Sequence, residues 1–326
     1  MPTAPLVSIS LLNYNGARFL RPCLEALAKT RFPSTELIVV DNASTDGSRE
    51  ALGPMLSGHG LNGARFLPLA ENRGFAAGHN AAARVARGEY LAFLNVTAEV
   101  EPDWLDLVNW MQTQPDVGFA QPMILDAGEA DLIQSLGTIM HRSGRLSVVG
   151  RQRRVDPVAR GPSVVVEVFS VLGAAFVARA AAFRAVGGFD EAMFLYFEES
   201  DLCWRGRLTG WRSVCHYTPG REDRVQHHAH GTVPATVDVS RLFDRNRTVS
   251  MLRNFELSNL PYVGWNALVV ASELGRRPSA LYRYGREVGE RFLPSVERRR
   301  EIQKSRRVRD RVVFGLSEPA ELPGIK

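Results

Sequence analysis

Cysteine is scarce in this sequence: three in 326 residues, at Cys23, Cys203 and Cys215, with no CxxC pair among them. That excludes a closed disulfide framework and fits a reducing cytosol, each thiol serving as a small buried hydrophobe. Long apolar runs are also missing. The most apolar stretch, Val164 to Phe183, is broken by Glu167 and Arg179, and nothing reaches the ~20 residues of a membrane span. Met1-Pro-Thr-Ala-Pro lacks a basic region ahead of an apolar core, so no signal peptide is expected. Internal repeats and low-complexity tracts are absent. So is a GxGxxG fingerprint, which argues against a dinucleotide oxidoreductase.

What remains is an ordinary globular composition, 45% hydrophobic and 23% charged, long enough for one large domain plus an appendage. The net charge of +5 conceals an asymmetry. Residues 276–311 hold 13 Lys/Arg and 5 Asp/Glu, a local +8 that leaves −3 elsewhere. Trp265, Leu268, Leu281, Tyr282, Phe292 and Leu293 are scattered in and before that basic tail. An amphipathic basic helix lying on an anionic membrane is one reading, and helices packed on the body with a solvated basic face is the other. Nucleic acid is not an expected partner, because no binding module accompanies the charge.

The first hundred residues alternate strand and helix patterns. Strands are expected at 6–12, 36–40, 64–69 and 90–94. Helices are expected at 17–29, 44–56 (with Asp46 as a cap), 76–86 and 103–112. Such alternation implies right-handed crossovers and a largely parallel sheet covered on both faces. Ligands of such sheets bind at the carboxyl ends of the strands. Asn13 and Asn15, Asp41 and Asn42, Asn72, and Asn95 with Thr97 all fall just past those ends. Further on, 140–149 reads as a hairpin about Ser143-Gly144, 164–169 and 174–177 as strands, and 201–208 as a helix ending at Gly210. After Asn259 the chain becomes helical and basic.

Three stretches carry chemistry. Asp41, followed by Asn42 and Ser44, can accept from a pyrimidine ring N–H, or can simply close a strand-end turn. Asn72-Arg73-Gly74-Phe75, continuing to Gly78 and Asn80, places small residues at a helix start, where backbone can approach a ligand and Arg73 can neutralise phosphate. Gly187-Gly188-Phe189-Asp190-Glu191 precedes Glu198-Glu199-Ser200-Asp201, three carboxylates in four residues beside aromatic side chains. Those carboxylates suit a general base, and equally the positive end of a helix dipole.

In this order and spacing, these motifs resemble family 2 glycosyltransferases, most closely the bacterial rhamnosyltransferase-like branch, over about Val7 to Arg253. The resemblance implies a GT-A-type, Rossmann-like α/β fold with a mostly parallel sheet, helices on both faces, and a helical basic C-terminal extension. It implies a catalytic domain at 1–258, with nucleotide-binding (1–117) and acceptor-binding (118–258) halves, followed by the extension at 259–326. The implied activity is inverting hexosyl transfer from a UDP or dTDP sugar to a glycan or lipid-linked acceptor in polysaccharide synthesis. The implied place is the cytoplasm, peripheral on the inner membrane.

Residue by residue, Asp41 would contact the pyrimidine, with Asn13, Asn15, Asn42, Ser44, Asn72, Arg73, Gly74, Asn80 and Asn95 around the nucleotide. Glu199 would be the general base. Glu198, Asp201, Trp204 and Arg205 would support it or the acceptor, and Gly173-Ala174 would line the cleft. His228, within Val225 to Thr232, would help hold metal or diphosphate. One position departs from the pattern: Thr97 stands where an acidic residue would bind Mg²⁺ or Mn²⁺, and a neutral hydroxyl is a poor ligand for hard cations. Weakened metal dependence is the favoured consequence, with Glu99 and His228 compensating. A cation such as Arg73 acting without metal is another. A third is a non-catalytic nucleotide-sugar or glycan-binding protein with a degenerate metal site.

Overall fold

The structure, a computed structural model, describes residues 6–229, 237–275 and 277–326. The N-terminal half runs β1 (Val7–Asn13), α1 (Ala17–Leu27), β2 (Thr35–Asp41), α2 (Ser48–Gly58), β3 (Arg65–Pro68), α3 (Gly74–Val85), β4 (Tyr90–Asn95), β5 (Ala98–Val100), α4 (Asp106–Gln112) and β6 (Val117–Gln121). Short strands follow: β7 (Ile124–Asp126), β8 (Ile133–Ser135), β9 (Thr138–Met140) and β10 (Leu146–Val148). Then come β11 (Val164–Val168), β12 (Ala175–Arg179), α5 (Ala180–Ala185), α6 (Glu198–Leu208), β13 (Arg212–Tyr217) and β14 (Val225–His227). The chain ends in α7 (Val239–Asn254), α8 (Pro261–Leu274), α9 (Pro278–Glu290), α10 (Phe292–Ser305) and α11 (Asp310–Val313).

Eight strands form one sheet in the order β11-β13-β6-β12-β4-β1-β2-β3. β3, β2, β1 and β4 are parallel, β6 and β13 are parallel, and β12 runs antiparallel between β4 and β6. The pleat sorts β1 by parity. Val7, Ile9 and Leu11 join the core under α1, α2 and α4, while Leu12 joins the core beneath α3, α5 and α6. On that second face, Ser8 and Ser10 are buried because each is satisfied: Ser8 Oγ donates to Glu36 and accepts from Gly88 N, and Ser10 Oγ bonds His79 Nδ1 at 2.7 Å.

The expected hairpin forms, with β9 and β10 antiparallel about Gly144 at φ 80°. Four helix starts differ from expectation, and α3 by only two residues, beginning at Gly74. α2 begins at Ser48, because Gly47 turns left-handed at φ 84°, and Asp46 spans two loops by accepting from Ser48 N and Ala17 N. α4 begins at Asp106, and Asp103 is engaged by Arg31 instead. α6 begins three residues before Asp201, at Glu198. A second sheet, β5-β14-β7-β8, sits beside the end of β4 and carries the segment that follows Thr97.

The C-terminal helices are packed on, not tethered. One core cluster joins Met140, Phe169, Trp204 and Leu208 with Met251, Phe255, Ile302 and Val313, so it crosses position 258. The last residues also return to the body, where Arg154 and Lys326 exchange backbone hydrogen bonds and Tyr217 Oη donates to Pro323 O.

Candidate active site

The ends of β1, β2 and β4 and the start of α6 supply the expected residues, and the structure gives the two sides opposite electrostatics. On the strand-end side, polar groups are saturated. Asn13 Nδ2 lies 2.9 Å from Asp41 Oδ1, 3.0 Å from Ser44 Oγ and 2.9 Å from Ser48 Oγ. Arg49 Nε donates to Asp41 Oδ2 at 2.6 Å, and Ser44 N donates to the same oxygen. Burial alone would raise the Asp41 pKa, but the bonds from Ser44, Arg49 and Asn13 outweigh it and hold the carboxyl below its usual range.

Asp41 is therefore where it was expected, but it is fully enclosed. Its Oδ2 is taken by Arg49 and Ser44 N. Asn15, at φ 49°, accepts from Thr45 N while its own N–H donates to Ser44 Oγ. Asn42, Asn72, Arg73 and Gly74 lock one another. Asn42 Nδ2 donates to Asn72 Oδ1 and Gly74 O, Arg73 N donates to Asn42 Oδ1, and Gly74 N donates to Asn72 Oδ1. Gly74 is required: at φ 77°, a Cβ there would lie 2.1 Å from Phe194 O.

Two residues expected on the diphosphate side have partners within the fold. Arg73 is paired with Glu191 at 2.8 Å, and the same carboxylate takes Arg84. Asn80 donates to Phe189 O and Glu191, and accepts from Phe189 N. Glu191 is thus a hub joining α3 to the Gly187-Gly188 turn, with Arg73 bonded to it through Nη2 and Asn80 a tie between elements.

On the other side, the segment before α6 is held in backbone that non-glycine residues rarely adopt. Phe194, Tyr196 and Phe197 have φ of 66°, 69° and 73°, which costs roughly 1 kcal/mol or more each. It delivers Glu198 and Glu199 into the first turn of α6. Burial pushes the Glu199 carboxyl up to about 7. Burial, then repulsion from Glu199, raises Glu198 well above its usual value, and Glu198 Oε2 has no hydrogen-bond partner. Glu199 faces the cleft lining: a Cβ at Gly173 would lie 3.3 Å from the Phe75 ring and 3.8 Å from Glu199 Cδ. Asn95 N donates to Ala174 O, so the end of β4 meets the same lining.

The other residues assigned to this side are committed to the fold. Trp204 is fully buried against Phe169 and Phe255, with no surface for an acceptor. Asp201 is closed on both oxygens, by Arg205 at 2.7 Å and by Ser250 and Asn254. Those bonds, with Arg205 foremost by charge, hold its carboxyl low although burial opposes them. Arg205 itself is buried and donates to Val186 O.

Thr97 is nearly buried, and its carbonyl accepts from His228 N at 3.0 Å. That bond brings His228 Nε2 to 3.1 Å from Glu99 Oε1, both side chains about one-third exposed, with the imidazole against Phe19. The two residues expected to compensate for Thr97 do meet. They form a two-donor set; no cluster of three potential ligands occurs among the described residues. His227 bonds Gln134, and His230 lies outside the described residues.

Residues 8–154 match the family model described as Glycosyl transferase family 2. This segment is a family 2 glycosyltransferase domain. The chain is 27% identical over 255 residues to N-acetylglucosaminyl-diphospho-decaprenol L-rhamnosyltransferase of Mycobacterium tuberculosis, covering 70% of this chain and 77% of that one. It is 29% identical over 239 residues to the O-antigen biosynthesis protein RfbC of Myxococcus xanthus, and 29% over 236 residues to protein y4gI of Sinorhizobium fredii. Those two matches take in 69% and 70% of this chain but only 17% and 25% of the relatives.

Among solved structures, GalNAc-T7 with UDP, GalNAc and Mn2+ superposes with a TM-score of 0.64 at 14% identity, over 90% of this chain and 58% of that one. The mannosyltransferase PcManGT of Pyrobaculum calidifontis, with GDP-Man and Mn2+, gives 0.52 at 18% identity, over 93% and 86%. These likenesses place the glycosyltransferase domain in the GT-A fold.

Sequence reasoning missed Arg49, the joining role of Glu191 and the polar face of α7. Arg49 sits one helical turn past the Ser44–Asp46 turn and was hidden among ordinary surface charges. The α7 residues had a signal that went unused: Asn246, Ser250 and Asn254 fall at i, i+4, i+8.

Proposed function

We propose that the chain is an inverting glycosyltransferase that moves a sugar from a UDP or dTDP sugar to a hydroxyl of a glycan or lipid-linked acceptor in cell-surface polysaccharide synthesis. The observation that carries this reading is Glu199, a carboxyl with a pKa near 7 beside Gly173, across from the strand ends. In its ionised form Glu199 takes the proton of the acceptor hydroxyl as that oxygen attacks the anomeric carbon from the face opposite the diphosphate. The new C–O bond forms, the bond to diphosphate breaks, and nucleoside diphosphate leaves. A base poised near neutral pH suits that transfer.

The nucleotide is seated at the ends of β1, β2 and β4, with Asp41 ordering Asn13, Ser44 and Arg49 as one wall. A bound Mg²⁺ or Mn²⁺ would neutralise charge on the leaving diphosphate. Glu99 and His228 are the side chains that would hold it, an imidazole and a carboxylate being acceptable donors for Mn²⁺. Thr97 adds no charge, so the ion would be weakly held. The Mn2+ present in two solved relatives supports divalent metal use.

Among the described residues, no helix is long and apolar enough to cross a membrane. We assign the protein to the cytoplasmic face of an anionic membrane, with α8 on the lipid. Trp265 and Leu268 are 61% and 66% exposed, α8 carries no charge between Pro261 and Ser272, and the basic helices adjoin it. The test of function is release of nucleoside diphosphate from UDP-GlcNAc, UDP-GalNAc and dTDP-rhamnose, with and without Mn²⁺. Release from at least one donor is expected. Nucleotide binding without turnover of any donor would favour the non-catalytic reading.

A further inference from the structure

The strained turn that carries the base is held from one side by α7. Asn246 Nδ2 lies within hydrogen-bond reach of three carbonyls of that turn: Met193 O at 3.0 Å, Leu195 O at 3.1 Å and Tyr196 O at 2.7 Å. Its orientation is fixed from behind, since Arg245 Nε donates to Asn246 Oδ1 at 2.9 Å, while Arg245 Nη2 donates to Met193 O at 2.8 Å. One and two turns on, Ser250 Oγ and Asn254 Nδ2 donate to Asp201 Oδ1 at 2.9 and 3.0 Å. One face of α7 therefore grips both the turn before Glu199 and the helix after it.

Arg245 is held in turn by the C-terminal helices. Glu287 of α9 accepts from Arg245 Nη1 at 3.4 Å, and its other oxygen pairs with Arg241. Asn246 and Arg245 are both buried. An apolar side chain at 246 would strip a donor from three carbonyls packed under α7, and a left-handed run of Phe and Tyr has no backbone preference of its own for that shape.

We propose that Asn246 is a positioning residue for Glu199, held in place through Arg245 by Glu287, so that the C-terminal helices belong to the catalytic apparatus as well as to any membrane contact. The proposal rests on Glu199 being the base. The acceptor-facing geometry of Glu199 depends on the turn, whereas the strand-end nucleotide wall makes no contact with Asn246. Loss of the clamp therefore acts first on turnover and on the base; the turn reaches the Asn42–Gly74 lock only through Phe194 O, which Asn246 does not bond, so donor binding changes less.

The test measures kcat, donor KM and the pH profile of kcat on the full chain, using whichever of UDP-GlcNAc, UDP-GalNAc and dTDP-rhamnose turns over. Asn246→Asp keeps the size but sets a carboxylate against three carbonyls. It is expected to lower kcat on the order of 10²-fold, as small misplacements of a reacting group do, to leave donor KM within about twofold, and to move the pH midpoint. Glu287→Gln should shift kcat and midpoint the same way by a smaller factor, and it decides the matter if Asn246→Asp does not fold. Folded variants with parental kcat and midpoint overturn the proposal. Glu199→Gln run in parallel separates the two claims. An active Glu199→Gln sinks the base and with it this inference, whereas an inactive one beside an unaffected Asn246→Asp sinks the positioning role only.

Discussion

Asp41, buried, and Glu199, partly buried, are carboxyls at a strand end and a helix start, and their surroundings drive their ionisation apart. Asp41 is ringed by donors from β1, the β2–α2 turn and Arg49, and stays ionised. Glu199 lies in a desolvated helix start next to Glu198, with no cation bonded to it, and is pushed up to about 7. Pairs whose environments separate their ionisation in this way divide labour: one carboxylate as a permanent structural anion, the other as a proton acceptor near neutral pH.

The largest expected effect follows from breaking the acceptor side. Glu199→Gln should lower kcat by about 10²–10⁴-fold, the usual contribution of a general base, with nucleotide binding intact by calorimetry. In the parent, kcat should rise with pH to a plateau, with its midpoint near about 7, because the ionised form is the active one. A flat profile between pH 5 and 9 would remove Glu199 from the role.

Breaking the donor side should look different. Asp41→Asn removes the anion that Arg49 pairs with, so nucleotide affinity falls while kcat at saturating donor is largely kept. The cost in stability should be about 1–2 kcal/mol, kept modest because Arg49 is one-third exposed. The sign with pH is fixed by the lowered pKa. The contribution of Asp41 is present above the ordinary carboxylate range and is lost as pH falls through the lowered value. Urea midpoints of parent and variant should therefore converge in acid. A gap that persists there would mean that Asp41 acts through packing instead.

Smaller again is the metal. Thr97 sits next to the Glu99–His228 pair through the bond from His228 N to Thr97 O. Thr97→Asp should tighten Mn²⁺ binding on the order of tenfold by adding a charged oxygen, read by titration calorimetry with the nucleoside diphosphate present. Unchanged affinity would show that residue 97 does not face the ion.

Much of this arrangement was legible before any coordinates. Alternating periodicity gave the order of strands and helices up to β4, and the rule about strand carboxyl ends located Asn13, Asp41, Asn42 and Asn95 correctly. Glu99 and His228 were singled out as the residues that would compensate for Thr97, although their pairing was not foreseen. What periodicity cannot report is direction and partner. The antiparallel insertion of β12 between β4 and β6 leaves no mark on an apolar run. Nor does a sequence say that Trp204 points into a core or that Arg73 pairs with Glu191, since both depend on residues more than 30 positions away. Asn246 was overlooked because a polar residue in a helix reads as solvent-facing until the strained turn beneath it is known.

The smallest effect tests the contrast from inside the raised pair. Glu198 is buried, its Oε2 lacks a partner, and its carboxyl is raised well above the usual value by burial and by Glu199. A folded-state pKa above the unfolded one means that the folded protein binds the proton more tightly, so stability is full below the ordinary carboxylate value and is lost as pH rises. Glu198→Gln, always neutral, escapes that loss. Its melting temperature should match the parent near pH 4 and exceed it by about 1–2 °C at pH 8, since about 1 kcal/mol moves a domain of 150–250 residues by roughly 2–4 °C and a longer chain by less. The kcat midpoint should stay near the parental one, because Glu198 is still protonated when Glu199 ionises. A variant less stable than the parent at pH 8 would mean that Glu198 has a partner when charged, and the desolvated base site would lose its explanation.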